Sequence, residues 1–447
     1  MKLYDIPTYA VKKAQKLGAS DIVVSAGKSK GHQVKFVNNE IAVTKSNYDE
    51  SAGVFLAYNK RVVSANIKTF TEQEVDRTLA KLIQLAKLLP PKEDFYGLAE
   101  GFSKYKKIKG MFDKNILDFD KSTDYVQAAI NGALRSGAKR VAGVFDVSYD
   151  KSLVVSSKGL NLTEQSTGVS ISLRALASKE ASGHQVMQSN VLNGFNAEKV
   201  GIDAGTVAYR ALNPKHTPAG KYDVLFYPLP VSDLLGGVAG AASIASLENG
   251  MSYLKKVGQI VGSSKLTMYD WANMPYGVDS YSCDAEGTSS QKTLLIKNGV
   301  FKSYLHNYST SQKYKAKNTG NAGLVEPSPS NTYIVPGRVS VDSMIKQMKK
   351  GLVVTNNWYT TFQNYLDGNF STIPRDAIFY VKDGRIQYPV KDIRITENII
   401  NLMKSISVIG KDSVQVTGWG TQPPNFENNV VTPSILCKKL NITKSKN

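Results

Sequence analysis

DIVVSAGKSKGHQVKFVNNEIAVTKSNYDESAGVFLAYNKRVVSANI, residues 21–67, holds five short stretches in which apolar and polar side chains alternate. They are DIVVSAG, HQVKFVNN, EIAVTKS, SAGVFLAYN and RVVSANI. Period-two alternation places one face of a strand against a core and the other in water. The pairs Asn38-Asn39 and Asn59-Lys60 punctuate the run as tight turns, so the stretch reads as a β-meander. A helix is expected on each side. Residues 6–17 space Ile6, Ala10, Val11 and Leu17 along one helical face, and Gly18 stops it. Thr71 and Glu74 have Ser/Thr-x-x-Glu capping spacing. Leu79, Leu82, Ile83, Ala86 and Leu89 continue as an apolar stripe until Pro90-Pro91. Residues 1–95 therefore form a helix–meander–helix α+β unit.

Residues 90–115 read as a charged, glycine-containing linker that leads into a middle α/β segment, the linker and that segment being taken together as 96–218. That segment has helices expected over 125–137 and 198–212, with strands near 141–149, 153–156 and 168–177. Pro214 and Pro218 mark its end. The last unit, 219–447, opens on an apolar strand at 224–227 and an apolar helix over 232–247. Strand and turn segments then dominate, with Asn298-Gly299 and Asp383-Gly384 as hairpin turns. The fold class is α+β, with a strand-rich, mostly antiparallel C-terminal domain.

The chain has 447 residues, too many for one ordinary core, and a normal apolar content of 42%. Its two cysteines, Cys283 and Cys437, exclude a disulfide scaffold and a CxxC zinc module. The N-terminus lacks a signal-peptide pattern, and Pro228, Pro230 and Asp233 interrupt the most apolar stretch, so a cytoplasmic protein is expected. The net charge of +19 is spread over scattered lysine runs, at 104–109, 346–350 and from Lys438 onward. Arginine, the usual base-reading side chain, is scarce beside lysine. Nucleic acid is not the expected partner.

Hydrolysis by zinc needs clustered ligands and a carboxylate to take a proton from the bound water. The four histidines, His32, His184, His216 and His306, lie far apart, and none has a neighbouring glutamate. There is no GxSxG, and the phosphate-cradling loops are missing. Cys283 stands among acids, which disfavour a thiolate. The segment LLGGVAGAAS, 234–243, is unusual in its small residues. Glycine costs a helix interior about 0.5–1 kcal/mol against alanine, so either close packing or a cleft wall must compensate.

Several landmarks follow one another in a specific order. They are the 224–270 stretch containing YPLPVSDLLGGVAGAAS, then DAEGTSSQKTLLIKNGVFKSYLHN (284–307), TGNA (319–322), NTYIVPG (331–337) and DGNF (367–370). With the meander at 38–67, they resemble the TldD/PmbA metallopeptidase family along nearly the whole chain. One branch of that family carries His-Glu-x-x-x-His directly after Leu-Leu, with a later cysteine completing the zinc site. Here those positions are Gly236, Gly237 and Ala241, and GWGTQPP (418–424), the region resembling the third ligand's, has no cysteine. The resemblance is therefore to the PmbA/TldE branch. It implies a zinc-free, non-catalytic chain, with zinc held by a TldD-like partner in a heterodimer, or a homodimer in isolation. The complex would process or degrade small or unfolded peptides in an enclosed cleft. Asp284, Glu286, His306, Tyr308, Asn318 and Asn331 are the substrate-cleft candidates, and turn chemistry is the competing role for each. The rival reading is a basic nucleic-acid-binding or scaffolding protein with no peptidase partner; an active hydrolase using an unrecognised site is the third.

Overall fold

The computed structural model describes residues 1–100, 104–417 and 429–445. Helix α1 (Ile6–Lys16) precedes three strands, β1 (Asp21–Val37), β2 (Glu40–Tyr58) and β3 (Arg61–Ile67), and α2 (Glu72–Leu88) follows. Thr71 caps α2 as its spacing requires, accepting the Glu74 N–H at 3.2 Å. The five alternating stretches prove to be three strands. GKSKG and KSNYDE are not turns, because residues 28–35 of β1 pair with β2 on one side and β4 (Arg140–Ser156) on the other. Two bonded neighbours hold a polar, glycine-containing stretch extended where local composition favours a bend.

The middle segment contributes α3 (Ser122–Arg135), β4, β5 (Asn161–Leu176), β6 (Ser182–Ser189) and α4 (Ala197–Arg210). The expected strands 141–149 and 153–156 are one strand, β4, and β6 is added to those foreseen. Strands from 1–95 and 96–218 share one six-stranded sheet, ordered β3-β2-β1-β4-β5-β6. Helices α3 and α4 meet closely: a Cβ on Gly201 would strike the Ala129 carbonyl and lie 3.0 Å from the Ala133 nitrogen.

The C-terminal unit holds two further sheets. Strands β7 (Lys215–His216) and β8 (Gly220–Phe226) lead into α5 (Pro228–Leu235), α6 (Gly237–Ala241) and α7 (Ile244–Glu248). Then come β9 (Met268–Trp271), β10 (Lys292–Lys297), β11 (Val300–Phe301), α8 (Tyr308–Tyr314), β12 (Thr332–Ile334) and α9 (Val341–Lys346). The chain ends with β13 (Lys350–Asn364), β14 (Asn369–Lys382), β15 (Arg385–Lys391), β16 (Ile393–Asn398), α10 (Ile399–Ser405), β17 (Ile406–Ile409), β18 (Val414–Thr417), β19 (Asn429–Thr432) and β20 (Ile435–Lys444). One sheet runs β11-β10-β9-β12-β19-β18. In the other, β13-β8-β20-β16-β14 closes into a ring because β14 also pairs with β13. Pairing is antiparallel except at β8–β13, β12–β19 and β7–β15. The foreseen turns have positive φ at both central residues: 53° and 73° at Asn38-Asn39, 48° and 79° at Asn298-Gly299, 47° and 72° at Asp383-Gly384. Such turns match the twist of the strands they join.

The largest apolar core lies inside the C-terminal unit, around Phe226, Leu234, Phe301, Ile378 and Ile435. A second joins α3 and α4 to the outer face of the ring through Phe145, Val200, Met348 and Phe379. The fold is α+β and strand-rich toward its C-terminus.

Candidate functional site

Strand β8 delivers the chain into α5 at Pro228, a first-turn proline whose missing N–H costs nothing there. The helix buries Leu229, Val231, Leu234 and Leu235. Gly236 has ordinary helical angles, φ −57° and ψ −40°, so its backbone admits any residue. Space does not: a Cβ would meet the Ser232 carbonyl oxygen and stand 3.0 Å from Val430 Cγ2 on β19. Gly236 and Ala241 are buried and Gly237 is half-buried.

The single helix expected over 232–247 is in fact three pieces starting at Pro228. Its break has a long-range cause. Leu305 donates its N–H to the Ala242 carbonyl at 2.8 Å and accepts the Ile244 N–H at 3.2 Å. That bridge pulls Ser243 into an extended conformation, φ −62° and ψ 132°, and the Ser243 hydroxyl donates to the Pro327 carbonyl at 2.7 Å.

Gly236, Gly237 and Ala241 offer no atom that binds a metal. The nearest acid on α5, Asp233, is occupied: its carboxylate accepts Asn357 Nδ2 at 2.6 Å and the Thr360 hydroxyl. Burial raises its pKa, against those two bonds. Among the described residues, no three His, Cys, Asp or Glu side chains lie where they could share a metal ion. GWGTQPP, at 418–424, lies outside the described residues, and the sequence has no His or Cys there. Among the described residues, the side chains present do not fit zinc. The four histidines sit apart, each with a local partner. His32 pairs with Ser46 at 2.8 Å, His184 with Ser172 at 3.0 Å, His216 with Asp392 at 3.3 Å and His306 with Thr310 at 3.3 Å. Both cysteines are free thiols.

At the start of α5, a cleft of about 490 Å³ separates it from the middle segment. Its walls include β6 from Gln185 to Ser189, Tyr227 to Leu229, Thr355, and β18 from Val414 to Val416. Consecutive residues of a strand point alternately to opposite faces, so a run of five lining one space presents the strand's edge.

Five of the six substrate-cleft candidates come together at the head of α8. The Asp284 carboxylate accepts the N–H groups of Glu286 (3.1 Å), Thr288 (2.9 Å) and Ala322 (2.9 Å). Burial still lifts its pKa to about 6. Glu286 Oε2 accepts the Tyr308 N–H at 3.1 Å, and burial, with Asp284 beside it, pushes Glu286 up to about 8. His306 donates its N–H to Thr319 Oγ1 at 2.8 Å, and burial holds its imidazole down at about 4. Asn318 donates to Thr288 Oγ1 at 2.9 Å and accepts the Gly320 N–H at 3.0 Å. Tyr308 opens α8, half-buried.

Asn331 lies elsewhere. It is fully buried, accepting from the Asp279 N–H and Asn429 Nδ2 and donating to the Trp271 carbonyl and Ser280 Oγ, at 2.7–3.0 Å. Asp284, His306 and Asn331 thus spend their bonds inside the protein, whereas Glu286 also lines a small cavity. The Asp233–Asn357–Thr360 network was not among the candidates; an acid inside an apolar helix was its signal.

No helix among the described residues is long and apolar enough to cross a membrane. Three domains of one family match in order: PmbA/TldA metallopeptidase domain 1 over residues 23–86, the central domain over 113–212 and the C-terminal domain over 219–444. A metalloprotease of Methanocaldococcus jannaschii is 23% identical over 425 residues, covering 90% of this chain and 91% of its own. The metalloprotease PmbA of Escherichia coli O157:H7 is 25% identical over 411 residues, 87% of each chain. The crystal structure of TldE from Thermococcus kodakarensis shares the fold, with a TM-score of 0.87 at 20% identity over 98% of this chain and all of that one. With all three domains of the family matched in order over most of its length, the chain belongs to the PmbA/TldD metallopeptidase family.

Proposed function

We propose that this chain is the zinc-free, non-catalytic subunit of a two-subunit peptidase acting on small or unfolded peptides in the cytoplasm. Its partner is a TldD-like chain that carries His-Glu-x-x-x-His and holds the zinc. The observation that carries this reading is the composition and packing of the helix after Leu235. Gly236, Gly237 and Ala241 supply no imidazole and no carboxylate, and Val430 occupies the space a side chain at 236 would need. A zinc-bound water can be neither held nor deprotonated by such a helix.

The chain's own contribution is to brace the partner and to wall the space in which the peptide is cut. The cleft at the start of α5 suits that role, since a strand edge can bond to any peptide backbone regardless of its side chains. The test compares the chain purified alone with the chain co-expressed with a His-Glu-x-x-x-His family member. Alone it should carry no stoichiometric zinc and release no product from an unfolded peptide; the co-purified pair should do both. Stoichiometric zinc in the lone chain, or hydrolysis by it that survives removal of the partner, would defeat the reading.

A further inference from the structure

The hairpin of β1 and β2 carries an unpaired sheet edge. β1 has β2 on one side and β4 on the other, so both of its edges are filled. β2 pairs with β1 from Glu40 to Ala57, but β3 takes its outer edge only from Ala52 to Tyr58. Residues 40–51 have no strand on that outer edge among the described residues, and every one of them is exposed. Unpaired edges are normally kept short or interrupted by proline. This one has neither proline nor glycine, and Val43 is 53% and Tyr48 57% exposed.

Two features bound the straight part of this edge. A β-bulge at Lys35/Phe36 leaves Ala42 without a partner on β1 and bends the hairpin there, and β3 begins opposite Ala52. Between them lie residues 43–51, whose middle residue is Asn47. The charges of the edge are arranged about the same point. Opposite side chains in an antiparallel pair share a face, so a strand that pairs with a copy of itself across a two-fold axis places one residue opposite itself. Centred on Lys45, the pairing would oppose two lysines and set Glu40 against Glu50; centred on Asp49, it would oppose two aspartates. Centred on Asn47, it opposes Lys45 of each copy to Asp49 of the other, and no other centre sets Lys45 against an acid of this edge. Lys45, Asn47 and Asp49 share one face of the sheet, beside Gln33, Gly31 and Ser29 of β1.

We propose that two copies of this chain pair antiparallel along residues 43–51 of β2, joining their six-stranded sheets into one across a two-fold axis at Asn47. The inference concerns the chain's association with itself and does not rest on the proposed function. Main-chain hydrogen bonds supply the affinity. The two Lys45–Asp49 pairs set the register, since opposite charges facing each other across strands stabilise the pairing and like charges do the reverse. An extended peptide would also satisfy the main-chain groups of the edge. A peptide of arbitrary sequence, however, gives no reason for opposite charges placed symmetrically about the midpoint of the free stretch.

The experiment is sedimentation velocity of the full chain over a range of concentrations, with charge variants. The wild type should be a dimer. Lys45→Glu sets acid against acid at both positions and should weaken dimerisation about tenfold or more. Adding Asp49→Lys to it returns opposite charges to both positions and should restore the dimer, which no surface lysine outside an interface would do. Oxidative cross-linking reads the register separately. Residues that face each other in such a pair have Cα atoms about 4.5–5.5 Å apart, within disulfide reach. Asn47→Cys should therefore give a covalent dimer on a non-reducing gel, whereas Val43→Cys, which faces Ser51, should not. A chain that stays monomeric, including one that associates only with a His-Glu-x-x-x-His family member, would overturn the proposal. So would a dimer indifferent to both charge variants, or one that cross-links as fully at position 43 as at 47.

Discussion

Gly236→Ala probes the packing that separates this helix from a zinc-binding one. Alanine in ordinary helical backbone gains about 0.5–1 kcal/mol over glycine. Here the new methyl would press on the Ser232 carbonyl oxygen and stand 3.0 Å from Val430 Cγ2, and Val430 is fully buried. Overpacking of this kind costs about 1–3 kcal/mol, so the substitution should destabilise by about 1–2 kcal/mol despite its better helix propensity. Val430→Ala alone should cost about 2 kcal/mol, from lost burial and the cavity left behind. In that background the side-chain obstruction is gone and only the Ser232 carbonyl remains, so Gly236→Ala should cost roughly 1 kcal/mol less than in the wild type. Urea unfolding of the four proteins, followed by far-ultraviolet circular dichroism with m-values compared, reads the cycle. A neutral or stabilising Gly236→Ala, or equal costs in both backgrounds, would refute the reasoning. Position 236 would then have room for a side chain, and the exclusion of an imidazole there would lose its physical basis.

Three further outcomes follow from the same geometry. Gly201→Ala should destabilise by about 2 kcal/mol, since its methyl meets the backbone of α3 at Ala129, which no rotamer change relieves; thermal unfolding checks this, and a raised Tm would contradict it. Glu286 has its pKa raised from 4.5 to about 8, so the folded state holds its proton more tightly than the unfolded chain does. Its stabilising contribution is full below about pH 4.5 and is lost as pH rises toward 8, so Glu286→Gln should flatten the fall in stability across that window by a few kcal/mol, measured by denaturation at several pH values; parallel wild-type and variant profiles would count against it. Burial, with Asp284 and Glu164 nearby, pushes the Cys283 thiol up to about 12, and burial does the same to Cys437, so neither should react with iodoacetamide in the native protein at pH 8 while both do in urea; rapid native labelling would show a thiolate where none is expected.

Local signals were legible where local physics governs. Thr71 and Glu74 gave the start of α2, and Asn38-Asn39, Asn59-Lys60, Asn298-Gly299 and Asp383-Gly384 gave turns that do adopt positive φ. The lack of metal-binding atoms at Gly236, Gly237 and Ala241 was also plain, because donor chemistry belongs to the residue itself. Other features depended on partners far along the chain. GKSKG looks like a turn until β2 and β4 bond to both of its sides. Ser243 looks helical until Leu305 bridges it.

Composition, periodicity and capping residues were enough to determine the fold class, the main helices, the tight turns and the missing donors. Each of these is set by side chains within a few residues of one another. Only the tertiary structure joined two segments into one sheet, closed the ring, set Val430 against Gly236, and gathered Asp284, Glu286, His306, Tyr308 and Asn318 at one helix end. Strand pairing and burial join residues tens to hundreds of positions apart, and no local pattern encodes which carboxylates will be enclosed inside the protein.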